Sequence, residues 1–498
     1  MNIDDLFALA KSRGFFWQSA EIYGGQAGMY DYGHLGTLLK RNFEEAWLSF
    51  FVGTNDNYCQ IEGSTILPEK PLIFSGHAAR FNDAIISCTK CHAYYRADVL
   101  LSDAKVEVSE GATTEEIDGI VEKEKVRCPK CKGQLSKSKP FNMMMDLYLG
   151  PEKTDKSYLR PETAQSAYLN FFMEFNIRRK SLPMGIAIVG KAYRNEISPR
   201  QGLYRMREFT QAELQIFFDP ESWEVDHGYL GDPEVNVVTY SKKVMERKRV
   251  SELVKDNTVP DFYAYHMALI HAFYTKALGV PEERFRFLEK GGEDKAFYNK
   301  IHMDIEINVE SWGDFKEVGG LHYRGDYDLT SHTKGSMQDL SVSVNGKKLM
   351  PNVLELSFGV DRNVWMLMDV FYRKEGERSI LKLPAIMSPY KAAVFSLQKD
   401  EKLDEARMKL CGELKQQHFK IFTDESGSIG RRYARMDEVG TPYCITIDFD
   451  TVNKDHKDYN TVTVRNRDDK TQIRMDIGKV AQFLNEKTEF NPFELIKA

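Results

Sequence analysis

Three stretches of this chain hold acids, arginines or thiols at spacings that could do chemistry. From Met206 to Phe218, the residues Arg207, Phe209, Gln211 and Glu213 alternate with Glu208, Thr210, Ala212, Leu214 and Ile216. In a strand, alternate side chains share a face. A face reading Arg, Phe, Gln, Glu suits the floor of a ligand site, and it suits a solvated surface with one exposed aromatic equally well. In a ligand site, arginine would take phosphate, phenylalanine would stack a base and glutamate would take an ammonium. In Leu354-Glu355-Leu356-Ser357-Phe358-Gly359-Val360-Asp361-Arg362, Glu355 and Ser357 share one face of an otherwise apolar strand. Gly359 permits a tight passage into a helix. Arg362 then stands in the first helical turn, where N–H groups and the dipole favour anions; a structural ion pair is the plainer reading of a lone arginine there. The third set is Cys88/Cys91 with Cys128/Cys131, two Cys-x-x-Cys knuckles. They match a closed, structural zinc ribbon, the alternative being redox or free-thiol pairs. Residues 92–127 lie between the knuckles, a longer gap than usual, so part of that chain should bulge outward.

The elements that must position these residues are readable in outline. Leu35, Leu38, Leu39, Phe43, Trp47, Phe50 and Phe51 recur at helical spacing, with Lys40, Arg41, Glu44 and Glu45 between them; the pattern predicts a long amphipathic helix. Met184–Tyr193 is a short apolar run that suits a buried strand. A turn or loop at 197–202 and a second strand over 206–218 complete an antiparallel hairpin, with Arg194-Asn195-Glu196 ending its first arm. Residues 219–300 are less regular, and a helix is expected over Asp261–Leu278 between Pro260 and Gly279. A strand over 353–357 leads into a helix over 361–372. After Pro384 the spacing predicts short strands at 390–397, 419–423, 443–449, 460–465 and 471–475, separated by charged helices such as 401–417. This reads as a separate α/β domain.

Length and composition bound the rest. The chain has 498 residues, more than one core usually serves. Net charge is −6, which argues weakly against a nucleic-acid-coated protein but not against a local basic face. The acidic N-terminus lacks a signal-peptide pattern and no apolar run is long enough for a membrane span. A cytoplasmic location is therefore expected. The seven cysteines do not form a secreted disulfide framework.

Several strings together resemble a family. Arg194-Asn-Glu-Ile-Ser-Pro-Arg200 followed by Arg207-Glu-Phe-Thr-Gln211 is similar to motif two of class II aminoacyl-tRNA synthetases, and Gly359-Val-Asp-Arg362 to motif three. Arg13-Gly-Phe-Phe-Trp17, Tyr30-Asp-Tyr-Gly33, Ser75-Gly-His77, Tyr95-Arg-Ala-Asp98, Arg160-Pro-Glu-Thr-Ala-Gln165 and Arg324-Gly-Asp-Tyr-Asp-Leu329 narrow the resemblance to glycyl-tRNA synthetases. It runs from about residue 10 to the C-terminus. The implied fold is α+β: an antiparallel-sheet catalytic domain with helices, a zinc-ribbon-like insertion and a C-terminal α/β anticodon-binding domain. The division would be 1–87 with motif one, 88–139 as the four-cysteine insertion, 140–384 with motifs two and three and an insertion at about 219–300, and 385–498 for the anticodon.

The resemblance also implies roles. Arg194, Glu196 and Arg362 would be catalytic, with Arg194 on the α-phosphate of ATP and Arg362 on the γ-phosphate. Asn195, Tyr204, Arg205, Arg207, Glu208 and Gly359 would line the ATP site, and Phe209 would stack on adenine. Glu317, with Val318, would lie at ATP and Mg2+. Arg96, Glu162, Gln211, Glu213, Glu355 and Ser357 would form the glycine pocket. Cys88, Cys91, Cys128 and Cys131 would hold structural Zn2+. The partners would be glycine, tRNA(Gly) and a second copy of the chain, docked through the motif-one helix Leu35–Phe51. Glycine lacks a side chain, so affinity must come from its ammonium and carboxylate, and larger amino acids are refused sterically at Cα; no editing domain is expected. Arg431, Arg432 and Arg435, with Arg465, Arg467, Lys470 and Arg474, would fall in the RNA-reading domain, although such clusters taken alone are commonly a solvated charged face. Two positions depart from the family: Leu356 stands where proline is usual, and Phe297 where a histidine is common. The competing reading is a non-catalytic relative that binds nucleic acid or assists a polymerase. The retained Arg194, Glu196, Arg207, Glu317 and Arg362 argue against it, and the strings at Arg160 and Arg324 argue against a serine- or threonine-charging enzyme.

Overall fold

The run Met184–Tyr193 forms a strand, and Glu208–Phe218 returns antiparallel to it, pairing Met184 with Phe217 and Tyr193 with Glu208. The structure is a computed structural model that describes residues 3–497 apart from 107, 109–111, 179, 200, 224–230, 293–294, 297 and 377. Arg200 and Phe297 therefore lie outside the described residues.

The hairpin belongs to a nine-stranded sheet. Its strands are β1 (Tyr58–Gln60), β2 (Met184–Tyr193), β3 (Glu208–Phe218), β4 (Glu234–Val238), β5 (Met245–Arg249), β6 (Phe285–Glu289), β7 (Ile301–Val309), β8 (Asp314–Gly325) and β9 (Asn352–Gly359). They lie in the order β5-β4-β6-β7-β8-β9-β3-β2-β1. Pairing is antiparallel except between β1 and β2 and between β4 and β6. The segment 219–300, less regular in sequence, joins this sheet. It supplies β4, β5 and β6, because Val235, Val237, Phe285 and Phe287 alternate inward and complete the sheet's buried face.

Helices cover both faces. On one side lie α1 (His34–Phe51), α3 (Asp261–Ala272) and α5 (Val360–Phe371), packed on Ala212, Leu214 and Ile216 of β3 and on Leu354, Leu356 and Phe358 of β9. Leu356 is thus a core residue facing away from Glu355 and Ser357. On the other side, α2 (Ala164–Ile177) buries Tyr168 and Phe171 against Phe217, and α4 (Tyr327–Ser336) adds Leu329. The α3 helix stops at Ala272 and continues to Ala277 as a π turn, so the expected single helix changes pitch near its end.

The α1 helix follows its sequence pattern. Leu35, Leu39, Phe43, Trp47 and Phe50 are buried, while Lys40 pairs with Glu44 at 2.8 Å on the outer face. Gly36 allows the helix to touch the preceding loop, since a Cβ there would lie 1.8 Å from the Phe15 carbonyl oxygen. The apolar face of α1 is covered by its own chain.

Beyond Pro384 a five-stranded sheet has the spatial order Ile421–Phe422, Ala392–Ser396, Tyr443–Ile447, Thr461–Asn466, Gln472–Asp476. Its first three strands are parallel and the rest antiparallel. Asp400 caps the helix Glu401–Gln416 by accepting from the Lys402 and Leu403 amides. No described helix is long and apolar enough to cross a membrane.

Candidate active site

The face of β3 that carries Phe209, Gln211, Glu213, Gln215 and Phe217 runs beneath α2. That helix covers the face from Glu213 onward, through Thr163 just before it, Tyr168 and Phe171. Phe209 and Gln211 remain uncovered and line a cleft of about 560 Å³, together with Arg194, Glu196, Tyr204, Arg205, Glu317, Gly359 and Arg362. Strand parity puts the cleft residues and the covered ones on one face, and the cover of α2 divides that face into cleft and core.

Arg362 is anchored before any ligand arrives. Its Nε donates to the Tyr204 carbonyl at 3.0 Å, its Nη1 lies 2.9 Å from Glu317 Oε1, and the guanidinium stacks 4.6 Å from the Tyr204 ring. Arg194 lies between the rings of Phe81 and Phe209, 5.2 Å from each centroid. Two buried acceptors in the cleft, Glu196 Oε2 and Gln211 Oε1, accept no hydrogen bond. Arg205 Nε lies 3.9 Å from the former. Buried acceptors without donors are costly, and two of them beside three arginines suit a polyanionic, hydrogen-bonding ligand.

Other residues named from the sequence sit differently. The Arg207 guanidinium donates to the carbonyls of Glu196 and Ala27, which pins the loop after β2. Glu208 pairs with Lys191 at 3.1 Å on the outer side of the hairpin. The Asn195 amide donates to the Met143 carbonyl, and the Val318 carbonyl accepts from Asn363. Arg96 is held by Asp83 and Asp98 at 2.9 and 2.7 Å, within electrostatic reach of Glu196 in the cleft.

Deeper in, the acids converge. Glu213 accepts from the hydroxyls of Thr163 at 2.6 Å and Ser357 at 2.8 Å, and Ser357 also lines the cleft. Glu162 accepts from Gln165 and lies 3.3 Å from His77 Nε2. Glu355 is saturated: Arg324 Nη1 and Gln215 Nε2 donate at 3.1 and 2.8 Å, Tyr168 lies at 3.4 Å, and His322 Nδ1 lies 2.5 Å from its other oxygen. Arg324 is also gripped by Asp328 at 2.8 and 3.0 Å, and it stacks 4.0 Å from the Tyr298 ring. Burial opposes ionisation of Glu355, but Arg324 and His322 outweigh it and hold the carboxyl low. Among the described residues Glu213 has no ion-pair partner, and Arg160 acts on it only at longer range. Burial, and then the charges of Glu355 and Glu162, push it up to about 8.

These partners of Glu355 follow from strand register. Gln215 faces it from β3 and His322 from β8. Gln215 shares parity with Glu213 and was within reach of the sequence pattern. His322, Arg324, His77 and Thr163 come from separate segments whose pairing the pattern does not contain. Glu355→Gln should cost about 3 kcal/mol of stability in urea unfolding, because it leaves buried Arg324 under-compensated.

The four sulfurs of Cys88, Cys91, Cys128 and Cys131 lie within 4.8 Å of one another, with Cys88–Cys131 at 3.4 Å and Cys91–Cys128 at 3.6 Å. A tetrahedral site with Zn–S bonds of about 2.3 Å needs sulfurs about 3.8 Å apart. The Lys90 and Cys91 amides donate to Cys88 Sγ. Gly133 leaves room at the cluster, since a Cβ there would lie 3.1–3.2 Å from two of the sulfurs. The residues fit structural Zn2+, and His92 is not in the cluster. The chain between the knuckles contributes the helix Thr114–Lys123, held by a Thr113–Glu116 capping box. Metal analysis should find about one zinc per chain, and chelation should loosen proteolysis sites within 82–142 before those of the main sheet.

The fold and cleft define a class. The family described as "tRNA synthetase class II core domain (G, H, P, S and T)" matches residues 148–371, and "Anticodon binding domain" matches 391–487. A prolyl-tRNA synthetase from Cryptosporidium parvum, solved with L-proline and AMP, shares this fold at a TM-score of 0.58 and 11% identity, over 99% of this chain and 76% of that one. The RNA-binding domain of a threonyl-tRNA synthetase from Cryptosporidium parvum Iowa II does so at 0.61 and 16%, over 98% and 99%. In sequence, the glycine–tRNA ligase of Thermococcus sibiricus is 34% identical over 96% of this chain and 97% of its own length. That of Aeropyrum pernix is 35% identical over 97% and 96%. The chain belongs to the glycine–tRNA ligase family.

Proposed function

We propose that the chain activates glycine with ATP to glycyl-adenylate and pyrophosphate, and transfers the glycyl group to the 3′ end of tRNA(Gly). The observation that carries this reading is the contact of two sites through Ser357. On one side is an arginine-lined cleft with unsatisfied acceptors; on the other is a buried carboxyl, Glu213, that has hydroxyl donors and no cation. The first suits a nucleoside triphosphate. The second suits an ammonium.

The residues act by position and charge. Arg194 and Arg362 neutralise phosphate oxygens from opposite ends of the cleft, and the anchoring of Arg362 removes its reorganisation cost during reaction. Glu196 and Gln211 accept hydrogen bonds from the nucleotide or its adenylate. Glu317 would hold Mg2+, which supplies further charge neutralisation on the phosphates. Phe209 offers a face for adenine once Arg194 moves onto phosphate. Glu213 takes the ammonium, with Glu162 beside it. Glu355 orients Arg324, a change from the direct ammonium contact expected from its sequence position. Arg207 and Arg96 act as positioning residues for the loops around the cleft.

The wider organisation belongs to the same proposal. Residues 385–498 read the anticodon, and the four-cysteine segment 88–139 is a zinc-stabilised insertion. In the anticodon unit Arg432, Arg465 and Arg467 are buried and bonded to protein partners, and Arg435 and Arg474 pair with Asp424 and Asp448. RNA contact therefore falls to other residues there, such as exposed Arg431. The enzyme works in the cytoplasm as a homodimer. The α1 helix would meet its partner through its polar outer face, since its apolar face is covered. ATP–pyrophosphate exchange with each standard amino acid tests the specificity: glycine alone should support it, and faster exchange with alanine or serine would overturn the pocket assignment.

A further inference from the structure

The pocket crowds four carboxyls, Glu162, Glu213, Glu355 and Asp328, around one guanidinium, Arg324, that touches two of them. Each acid but one has a basic partner: Glu162 has His77, while Glu355 and Asp328 share Arg324, and His322 adds to Glu355. Glu213 has only two hydroxyls. Arg160 also faces it electrostatically, but that guanidinium is committed to the carbonyls of Lys191 and Gly63. Beyond His322 lie His302, at 4.4 Å ring to ring, and Asp304, 3.1 Å from His302 and 3.4 Å from Lys290. His332 reaches Glu162 through Gln165, and His77 acts on it electrostatically. A buried, uncompensated carboxylate in such company is not tolerated in water-poor surroundings; it takes a proton.

We propose that glycine enters this pocket by exchange, its ammonium displacing a proton that Glu213 carries when the pocket is empty. The inference rests on the glycine-pocket reading above. The O–H bond of the Glu213 carboxyl breaks, the proton passes to solvent through the cleft that Ser357 lines, and the carboxylate pairs with the ammonium. His77 and His322 are positioning residues that keep Glu162 and Glu355 ionised, so that the exchangeable proton resides on Glu213. The raised affinity of Glu213 for protons agrees with this order.

Glycine titrated into the intact enzyme at one pH, in phosphate and in Tris, measures proton release, because the two buffers differ in ionisation heat. Near pH 7 the expected release is most of one proton per glycine bound. The dissociation constant should fall about tenfold per pH unit up to about pH 7.5 and level off above about 8.5. His322→Asn and His77→Asn should keep a slope of that size with a moved break point. Glycine binding without proton release at pH 7 overturns the exchange and leaves the pocket intact. Loss of the slope in either histidine variant also overturns it, by placing the proton on that histidine. Absence of glycine binding, with another amino acid bound instead, would sink the pocket reading itself.

Discussion

Arg362→Ala should lower glycine-dependent ATP–pyrophosphate exchange by about 1000-fold in kcat/KM, the scale seen when one preorganised charge donor is removed. The magnitude follows from how Arg362 is held. Its fork is fixed by the Tyr204 carbonyl and by Glu317, and its plane by the Tyr204 ring. The alanine variant loses this positive charge and leaves the Glu317 carboxylate beside the phosphates without its Arg362 partner. Arg362→Lys keeps the charge but not the fork, and should recover only part of the loss. Exchange within about threefold of wild type in the alanine variant would remove Arg362 from the phosphate site.

Glu213→Gln has the second large effect, and it has two signs. Glycine use should fall by about 100-fold or more, through KM, while ATP protection against proteolysis persists, since a neutral amide cannot compensate a buried ammonium. The ligand-free protein should meanwhile become more stable in alkaline buffer. Glu213 titrates at an ordinary value of 4.5 when unfolded and at about 8 when folded. A raised folded value means that its contribution is intact below about pH 4.5 and is lost progressively as pH rises to about 8. The loss for this one group is up to about 5 kcal/mol. The variant lacks the group, so its stability advantage should grow across that window in urea titrations at pH 5 and pH 8. Parallel wild-type and variant curves would contradict the assignment of a cation-free carboxyl.

The elements that carry the site were legible in the sequence because each is long, regular and patterned against one neighbour. The β2–β3 hairpin shows this best. Its apolar arm, turn residues and period-two face predict both strands, while the division of that face into cleft at Phe209 and Gln211 and core at Phe217 comes from the cover of α2, which the pattern does not contain. The α1 helix is equally plain from Leu35, Leu39, Phe43 and Trp47. The charge logic of the pocket was not legible. Glu355 reads from its strand as a free acid on a polar face, yet it is neutralised by Arg324 and His322 from β8, a pairing fixed only by register. Arg432, Arg465 and Arg467 read as a basic surface, yet all three are buried because Asp437 and backbone carbonyls reach them from elsewhere in the fold. Segment 219–300 reads as irregular for a related reason: β4 and β6 are short, and their alternation means little until β7 is alongside. Strand parity already offers Glu213 to an ammonium; its lack of an ion-pair partner emerges only once Glu162, Glu355 and Asp328 have been paired.

The most direct measurement is the charging reaction itself. Purified enzyme, labelled glycine, ATP, Mg2+ and a tRNA(Gly) transcript should yield an acid-stable, base-labile glycyl ester on the RNA, dependent on ATP and absent in Arg362→Ala. No ester with glycine, from protein that still binds the transcript, would contradict the account and favour a binding-only relative.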